Sequence, residues 1–255
     1  FSFFVLCLCL VVGLLYTLAR LTAIALSLPQ RVKAFQEKKR EVAIQNSSQA
    51  AILAFWQGRA QVSLQAAETA LSHTPDKKSS TINALFAARA SHQMRDYAKR
   101  DYFLSQINTE DEDFALASYL TQAQVYLDQG DLQAALKAVG MARQFAPKLS
   151  VALLLELKIR HRLNNTPDEV LDLVELLQKS EAIDAASARH YRLTACLTQA
   201  KHHDLKGATL QEWWNEIPAD ERLHPKLAEA YAQHALQDPV NGFSALSILQ
   251  DSLNQ

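Results

Sequence analysis

Apolar residues recur every three to four positions along most of the chain after residue 43, and this spacing predicts successive amphipathic helices. The clearest stretch is Tyr119–Pro147, where Gln129-Gly130-Asp131 separates two such helices. Ala123, Ala135 and Ala142 alternate there with bulky side chains, as expected where two helices approach closely. Runs of alternating β-branched residues are absent, so the pattern predicts an all-α fold.

The alternation of small and bulky residues resembles the tetratricopeptide repeat, a helix pair of about 34 residues that stacks on copies of itself. In that frame Tyr126 is the aromatic residue of the first helix, Gly130 forms the turn, Pro147 ends the second helix, and Tyr119 replaces the usual tryptophan. The chain is therefore predicted to be a tetratricopeptide-like α-solenoid of about six helix pairs. The other predicted pairs are marked by Ala51, Gly58, Ala67, Ala70 and Pro75; by Ala84, Ala88, Arg95–Tyr97 and Leu104; by Leu153–Leu163 and Val170–Leu177; by Ala185–Ala200 and Ala208–Trp214; and by Pro225–Gln237 and Phe243–Leu253.

Two polar segments predict helix starts. Thr166, Pro167 and Glu169 combine a hydroxyl cap, a proline at the first helical position and a carboxylate that can reach back to the cap. The acidic run at 110–113 is expected to start the helix that contains Phe114, because carboxylates stabilise helix N-termini.

The N-terminal segment has a different character. Phe1–Ala19 contains no charged residue and would extend about 28 Å as a helix, close to the hydrocarbon thickness of a bilayer. A signal peptide is the alternative, since Ala23-Ile24-Ala25 resembles a cleavage site, but signal peptides carry positive charges before the apolar run. We predict a transmembrane helix within 1–28, a basic connector at 29–42 and the solenoid at 43–255. The last apolar helix lacks a polar cap, so we expect further repeats beyond Gln255.

The predicted connector carries a cluster of positive charges next to the membrane. Under the positive-inside tendency, these charges hold the following segment in the cytoplasm. Recognition of anionic lipid headgroups is the alternative role. The membrane-proximal basic residues are Arg31, Lys33, Lys38, Lys39 and Arg40.

Charge and composition exclude several classes of function. The formal net charge of −1 gives no basic surplus for binding nucleic acid. Cys7, Cys9 and Cys196 do not form a disulfide framework, in agreement with a reducing compartment. The six glycines never lie closer than ten residues apart, so the glycine-rich turn of a flavin or nicotinamide site is absent. Nothing in the pattern predicts catalysis, and we expect a binding protein rather than an enzyme.

Three motifs together resemble the HemY family of membrane-anchored tetratricopeptide proteins of proteobacteria. They are Leu28-Pro29-Gln30-Arg31-Val32 at the end of the apolar segment, Ala87–Ala90 followed by Arg95–Leu104, and Trp213-Trp214 with Ile217-Pro218 ahead of Tyr231-Ala232. The resemblance covers essentially the whole chain. It implies an inner-membrane scaffold associated with haem and porphyrin biosynthesis, with the repeats facing the cytoplasm and pathway enzymes as partners. It also implies a membrane helix before the segment seen here. A flavin-dependent oxidase shares the HemY name, but its cofactor site needs the glycine-rich turn that this chain lacks.

In a stacked repeat the first helices of successive pairs line one continuous groove where partners bind. Aromatic residues and arginines concentrate binding energy at such surfaces. We therefore predict a partner-binding groove. The repeat frame places on it Phe55, Trp56, Arg89, His92, Gln124, Asp128 and Arg162.

Two other functions are compatible with the sequence. A carrier that binds porphyrin or haem directly would use imidazole or thiolate ligands, with His202, His203 and Cys196 as the candidates. No two histidines stand at i, i+4, and no CxxC or CxxCH motif is present, so we predict no metal site and no resident cofactor. The third hypothesis is a general assembly or chaperone-like repeat protein of the envelope.

Overall fold

The computed structural model describes residues 2–74, 77–107, 109, 111–202 and 205–236, without the side chains of 2–12, 18–19 and 21–34 in the first helix. These ranges contain helices and turns and no strand, so the predicted all-α class is confirmed. The helices are α1 Ser2–Trp56, α2 Ala60–His73, α3 Lys77–Gln93, α4 Tyr97–Ser105, α5 Glu112–Gln129, α6 Leu132–Phe145, α7 Ser150–Leu163, α8 Pro167–Lys179, α9 Ala185–His202, α10 Ala208–Glu216, α11 Ala219–Arg222 and α12 Pro225–Ala235.

Helix α1 is much longer than the others, at 55 residues. It runs through the predicted membrane segment, the connector and the first helix of the first pair, three parts that the sequence treats as separate. The predicted span at 1–28 falls largely on residues whose side chains lie outside the described part. Within the described residues, no helix has an apolar stretch long enough to cross a membrane.

The chain divides into two compact units, residues 1–108 and 109–255. In the first unit, α1 packs on α2, α2 on α3 and α3 on α4, and the first helices α1 and α3 also touch. The predicted small residues Ala51, Ala67, Ala70, Ala84 and Ala88 are completely buried. Because these positions carry only a methyl group, the helices pack closely, and larger side chains such as Leu64 and Phe103 fill the remaining core.

The second unit repeats this arrangement. Neighbouring helices pack in chain order from α5 to α9, and the first helices α5, α7 and α9 also touch in succession. Ala123, Ala135 and Ala142 are fully buried, as the alternation of small and bulky residues predicts. Each helix therefore buries its apolar stripe against the next pair, which is the packing expected of a helical repeat.

Four helix ends share one turn geometry. At the end of α5, Gly130 has φ +89°; its N–H donates to Leu127 O, and Asp131 N–H donates to Tyr126 O. This two-bond pattern is the Schellman motif. The same pair of bonds closes α1 at Gly58, α3 at Arg95 and α8 at Glu181, and all three residues have positive φ. The predicted turns at Gly58, Gly130 and Arg95 are thus confirmed, the last with a non-glycine residue in a left-handed conformation.

Helix starts match the sequence in part. Asp111 accepts a hydrogen bond from Asp113 N–H and begins α5, as the acidic run predicts. The predicted hydroxyl cap at Thr166 is wrong, because its side chain makes no capping bond to α8. Instead Arg160 Nη1 donates to Thr166 Oγ1 over 3.2 Å and lies 3.5 Å from Glu169 Oε1. The Arg160 guanidinium group, from the preceding helix, therefore binds the Thr166 hydroxyl and lies beside the Glu169 carboxylate.

The C-terminal part of the second unit is less regular. The short helices α10 and α11 lie between α9 and α12, and Trp214, Tyr231 and Leu210 fill the core that α9, α10 and α12 share. The Trp214 and Tyr231 rings lie 4.6 Å apart between centroids. The predicted helix at 243–253 lies outside the described residues.

Candidate interaction surfaces

Four of the predicted groove residues lie in the first unit. Phe55 is only 7% exposed; it packs edge-on against Phe86 with 5.5 Å between ring centroids, and Arg89 Cζ lies 5.0 Å from the Phe55 ring centroid. Trp56 is 76% exposed. His92 is half-buried, 5.9 Å from the Tyr97 ring. Phe55 therefore supports this surface from below, while Trp56 and Arg89 are the residues that a partner can reach.

The other three lie in the second unit, and the structure brings them together. Gln124 Nε2 donates to Asp128 Oδ1 over 2.8 Å on α5. Arg162 Nη1, from α7, donates to Leu127 O over 3.1 Å. The guanidinium group thus reaches the end of α5, next in sequence to Asp128, and complements the negative end of the helix dipole.

The exposed side of these first helices forms a continuous surface in the second unit, which we call the first-helix face. Lys158 lies one helical turn before Arg162 on α7, and both are exposed. On α9, the exposed residues His190 and Lys201 share one side of the helix. Lys158, Arg162 and Lys201 therefore place three cations on the α7 and α9 part of this face, beside the Asp128 carboxylate of α5.

Two histidines meet on this face where α7 and α9 touch. The His161 and His190 rings lie 5.7 Å apart between centroids, and Tyr191 stands edge-on to His161 at 4.9 Å. Burial lowers the pKa of His161, and the neighbouring charges of His190 and Arg162 lower it further. Near neutral pH, His161 is therefore an uncharged imidazole. These histidines are 29 positions apart in sequence, so no local spacing predicts their contact.

The structure describes the side chains of three of the five predicted membrane-proximal basic residues. Arg31 and Lys33 have side chains outside the described part, whereas Lys38, Lys39 and Arg40 are exposed on α1. Arg40 Nε donates to His73 O over 2.9 Å and so caps the end of α2. One of the predicted membrane-proximal charges therefore also has a structural role within the first unit.

Sequence reasoning missed a buried ionic cluster in the second unit. Glu156 is 4% exposed and accepts hydrogen bonds from Arg143 Nη1 at 2.6 Å and Arg160 Nε at 2.7 Å. Arg192 makes a similar contact with Glu221, with Nε 2.9 Å from Oε2. The position of Glu156 on the core side of a helix could have indicated this cluster, because a buried carboxylate is rare unless it is paired.

The structure describes two of the three candidate haem ligands, and they lie in different surroundings. His202 is exposed at the end of α9, His203 lies outside the described residues, and Cys196 is buried in α9. Within the described ranges, no group of three or more His, Cys, Asp or Glu side chains is arranged to hold a metal ion.

Comparison with known proteins identifies the N-terminal part of the chain. Residues 1–95 match the family model described as HemY protein N-terminus. The match includes α1, α2 and α3, and with them Phe55, Trp56, Arg89 and His92. No curated protein matches the chain. The match shows that residues 1–95 form a HemY-type N-terminal region.

Proposed function

We propose that this protein is a scaffold associated with haem and porphyrin biosynthesis. In this proposal α1 tethers it to the bacterial inner membrane, and tetratricopeptide-like repeats bind enzymes of the pathway on the cytoplasmic side. The family match over residues 1–95 supports the association with haem biosynthesis. The uncharged run at Phe1–Ala19 and the basic residues after it support the tether.

The observation that carries the binding role is the succession of first helices in the second unit. α5, α7 and α9 touch in order, and the sides turned away from the core present Lys158, Arg162 and Lys201 to solvent. Lys158 makes no hydrogen bond or ion pair with any described residue. A surface of this kind offers an acidic partner several cations whose desolvation breaks few existing contacts.

Site-specific photocrosslinking in native membranes tests this proposal. A photoreactive amino acid replaces Lys158 on the first-helix face in one variant and Lys137, an exposed residue of α6, in the matched control. We expect the probe at 158 to trap enzymes of haem biosynthesis and the probe at 137 not to trap them. A further variant, Lys158→Glu, carries no probe; affinity capture from the same membranes should recover fewer of these enzymes, because the substitution reverses a charge without breaking an internal contact.

The outcomes separate the parts of the proposal. Identical products from both positions would refute binding at the first-helix face. Capture of envelope proteins unrelated to porphyrins would refute the pathway and favour a general assembly role. Arg89→Glu in the first unit and Asp128→Arg in the second then show which predicted groove residues contribute.

Direct porphyrin binding is a second candidate function, and one observation favours it. His161 and His190 meet on the first-helix face, and the lowered pKa keeps His161 in the neutral form that ligates iron. Titration of the purified chain with haem should then change the absorbance of haem. The His161→Ala variant should lose this change. The His224→Ala variant should retain it, because His224 is remote from this pair in sequence. If the His161→Ala variant gave the same absorbance change with haem as the parent chain, this role would be excluded.

A further inference from the structure

Basic residues from two separate segments meet at one end of the first unit. Arg40 Nε donates to His73 O over 2.9 Å, so the end of α2 lies beside Arg40 on α1. α3 begins at Lys77, four positions after His73, and four residues of chain span at most about 14 Å. Lys77 and Lys78 are both exposed. We call Arg40, Lys77 and Lys78 together the basic end of the first unit.

The positive charge of the chain is concentrated around this basic end. Residues 20–41 contain six basic and two acidic side chains, and residues 73–78 add two lysines and one aspartate. The whole chain has a net charge of −1, so the remaining residues are acidic on balance. On α1, Lys38 and Lys39 are exposed and make no hydrogen bond or ion pair with any described residue. This region therefore attracts an anionic partner, whereas the rest of the chain does not.

The basic end faces the N-terminal segment. α1 is one uninterrupted helix to Trp56, and α2 packs against it and runs in the opposite direction, so that its last residue reaches Arg40. Arg59, at the start of α2, is about 20 Å away along that helix. The first unit thus has a basic end toward the uncharged N-terminal run and a second end that points away from it.

The length of the N-terminal segment favours a tilted helix. The predicted membrane segment, 1–28, contains one charged residue, Arg20, and would extend about 42 Å as a helix. A bilayer has a hydrocarbon core of about 30 Å, and a longer apolar helix is accommodated by tilting. Arg40 follows residue 28 by about 18 Å of helix, so a tilt toward the side where Arg40 contacts α2 brings the basic end to the membrane surface.

We propose that the basic end docks the first unit on the bilayer by binding the phosphate-bearing headgroups of anionic lipids. This inference rests on the membrane tether proposed above. Arg40 acts twice, because its Nε holds the end of α2 and its remaining N–H groups bind a headgroup phosphate. Lys77 and Lys78 act as hydrated point charges that attract the leaflet.

An anionic lipid surface matches these charges better than a nucleic acid does. A nucleic acid needs an extended basic path along the protein, and the residues outside this region are acidic on balance. A leaflet is already held next to the basic end by α1, so a few charges suffice. The docking selects one direction of tilt and thereby orients the first unit against the membrane.

Energy transfer between the protein and the bilayer tests the docking. The full 255-residue chain is reconstituted in phosphatidylcholine vesicles, either alone or with about 30% phosphatidylglycerol, whose negative surface potential attracts basic segments. A fluorescent amino acid replaces Ser72, which is exposed in the last turn of α2, and an acceptor is attached to a small fraction of the lipid headgroups. We expect transfer at least about twofold higher in the anionic vesicles at low salt, and a return to the neutral-vesicle value at high salt, because salt screens the charges.

Charge reversal locates the contact. Lys77→Glu/Lys78→Glu should reduce transfer in anionic vesicles to the neutral-vesicle value, because each basic side chain near an anionic leaflet strengthens association about fivefold. The matched control is Arg59→Glu/Lys99→Glu, which reverses two exposed charges near the other end of the unit. Its transfer should stay within about a fifth of the parent value, because charges beyond a Debye length from the surface are screened. Circular dichroism checks that each variant is folded.

Three results would overturn the docking: equal transfer in neutral and anionic vesicles, full transfer in the lysine double variant, and an equal loss in the control variant. Flotation with neutral vesicles tests the tether separately. A chain that floats with neutral vesicles but shows no dependence on anionic lipid would retain the tether and lose the docking. A chain that does not float with neutral vesicles would refute the tether, and the docking with it.

Discussion

Replacing Glu156 by glutamine should strongly destabilise the second unit. Glu156 joins α6 to α7, because its two carboxylate oxygens bind Arg143 Nη1 and Arg160 Nε at 2.6 and 2.7 Å. Glutamine has nearly the same shape but no charge, and only its carbonyl oxygen can accept a hydrogen bond. Glu156→Gln therefore removes one accepted hydrogen bond and the counter-charge that Arg143 and Arg160 share, and Arg160 keeps only the Glu169 carboxylate at 3.5 Å.

The size of the effect follows from burial. Breaking a fully buried ion pair from one side costs about 3–5 kcal/mol, because the remaining charge stays desolvated. Here the glutamate side chain is 5% exposed, but those of Arg143 and Arg160 are 32% and 18% exposed, so water relieves part of the penalty. We expect a loss of about 2–4 kcal/mol in the free energy of unfolding.

Urea denaturation followed by circular dichroism measures this loss. The matched control is Glu169→Gln, which removes another carboxylate near the same arginine. That carboxylate lies 3.5 Å from Arg160 Nη1, and its side chain is 49% exposed. Such an exposed pair contributes below about 1 kcal/mol. If Glu156→Gln cost no more than Glu169→Gln, the buried cluster would not stabilise the contact between α6 and α7.

Four further perturbations test local features of the structure. Arg95→Gly should raise the free energy of unfolding by up to about 1 kcal/mol in urea denaturation, because Arg95 has φ +61° and glycine adopts this conformation without strain. Gly130→Ala should lower it by about 1 kcal/mol for the opposite reason, since a Cβ there meets open space and strain alone acts. The pKa of His161 is lowered from 6.5 by burial, so its contribution to stability should be constant above pH 6.5 and decline as the pH falls below 6.5 toward the folded-state pKa; His161→Gln should remove that part of the pH dependence. Cys196, with its pKa raised to about 12, should resist iodoacetamide at pH 8 in the folded protein and react in urea, as peptide mass spectrometry can show.

The packed helix pairs could be predicted from sequence because their determinants are local. A helical period fixes which residues face the core, and a methyl-sized residue at Ala123 or Ala135 fixes where two helices approach. The turns at Gly58 and Gly130 follow from the need for a left-handed residue at each helix end. These predictions require only the neighbours of each residue along the chain.

The polar clusters could not be predicted because they depend on how two helices are aligned. Asp172 of α8 and Glu216 of α10 are 44 positions apart in sequence, yet the fold brings both to the lining of one cavity. Thr166 illustrates the same limit. Its neighbours have the pattern of a capping box, but Arg160, from the preceding helix, offers its hydroxyl a charged donor. Local pattern describes what a side chain can bind, and the packing of distant segments decides what it does bind.

The left-handed corner shared by α1, α3, α5 and α8 has a mechanical consequence. Each corner is closed by two backbone hydrogen bonds, as at Gly130 and Asp131, so we expect the turn to be rigid rather than to act as a hinge. When a load bends either unit, the turns keep their angles and the packed helices slide over one another instead. Methyl-sized contacts such as Ala123 and Ala135 offer few interlocking side chains to oppose a small sliding movement. Each unit should therefore deform reversibly by small movements between neighbouring helix pairs. The small residues that allow the pairs to pack closely should determine how easily these movements occur.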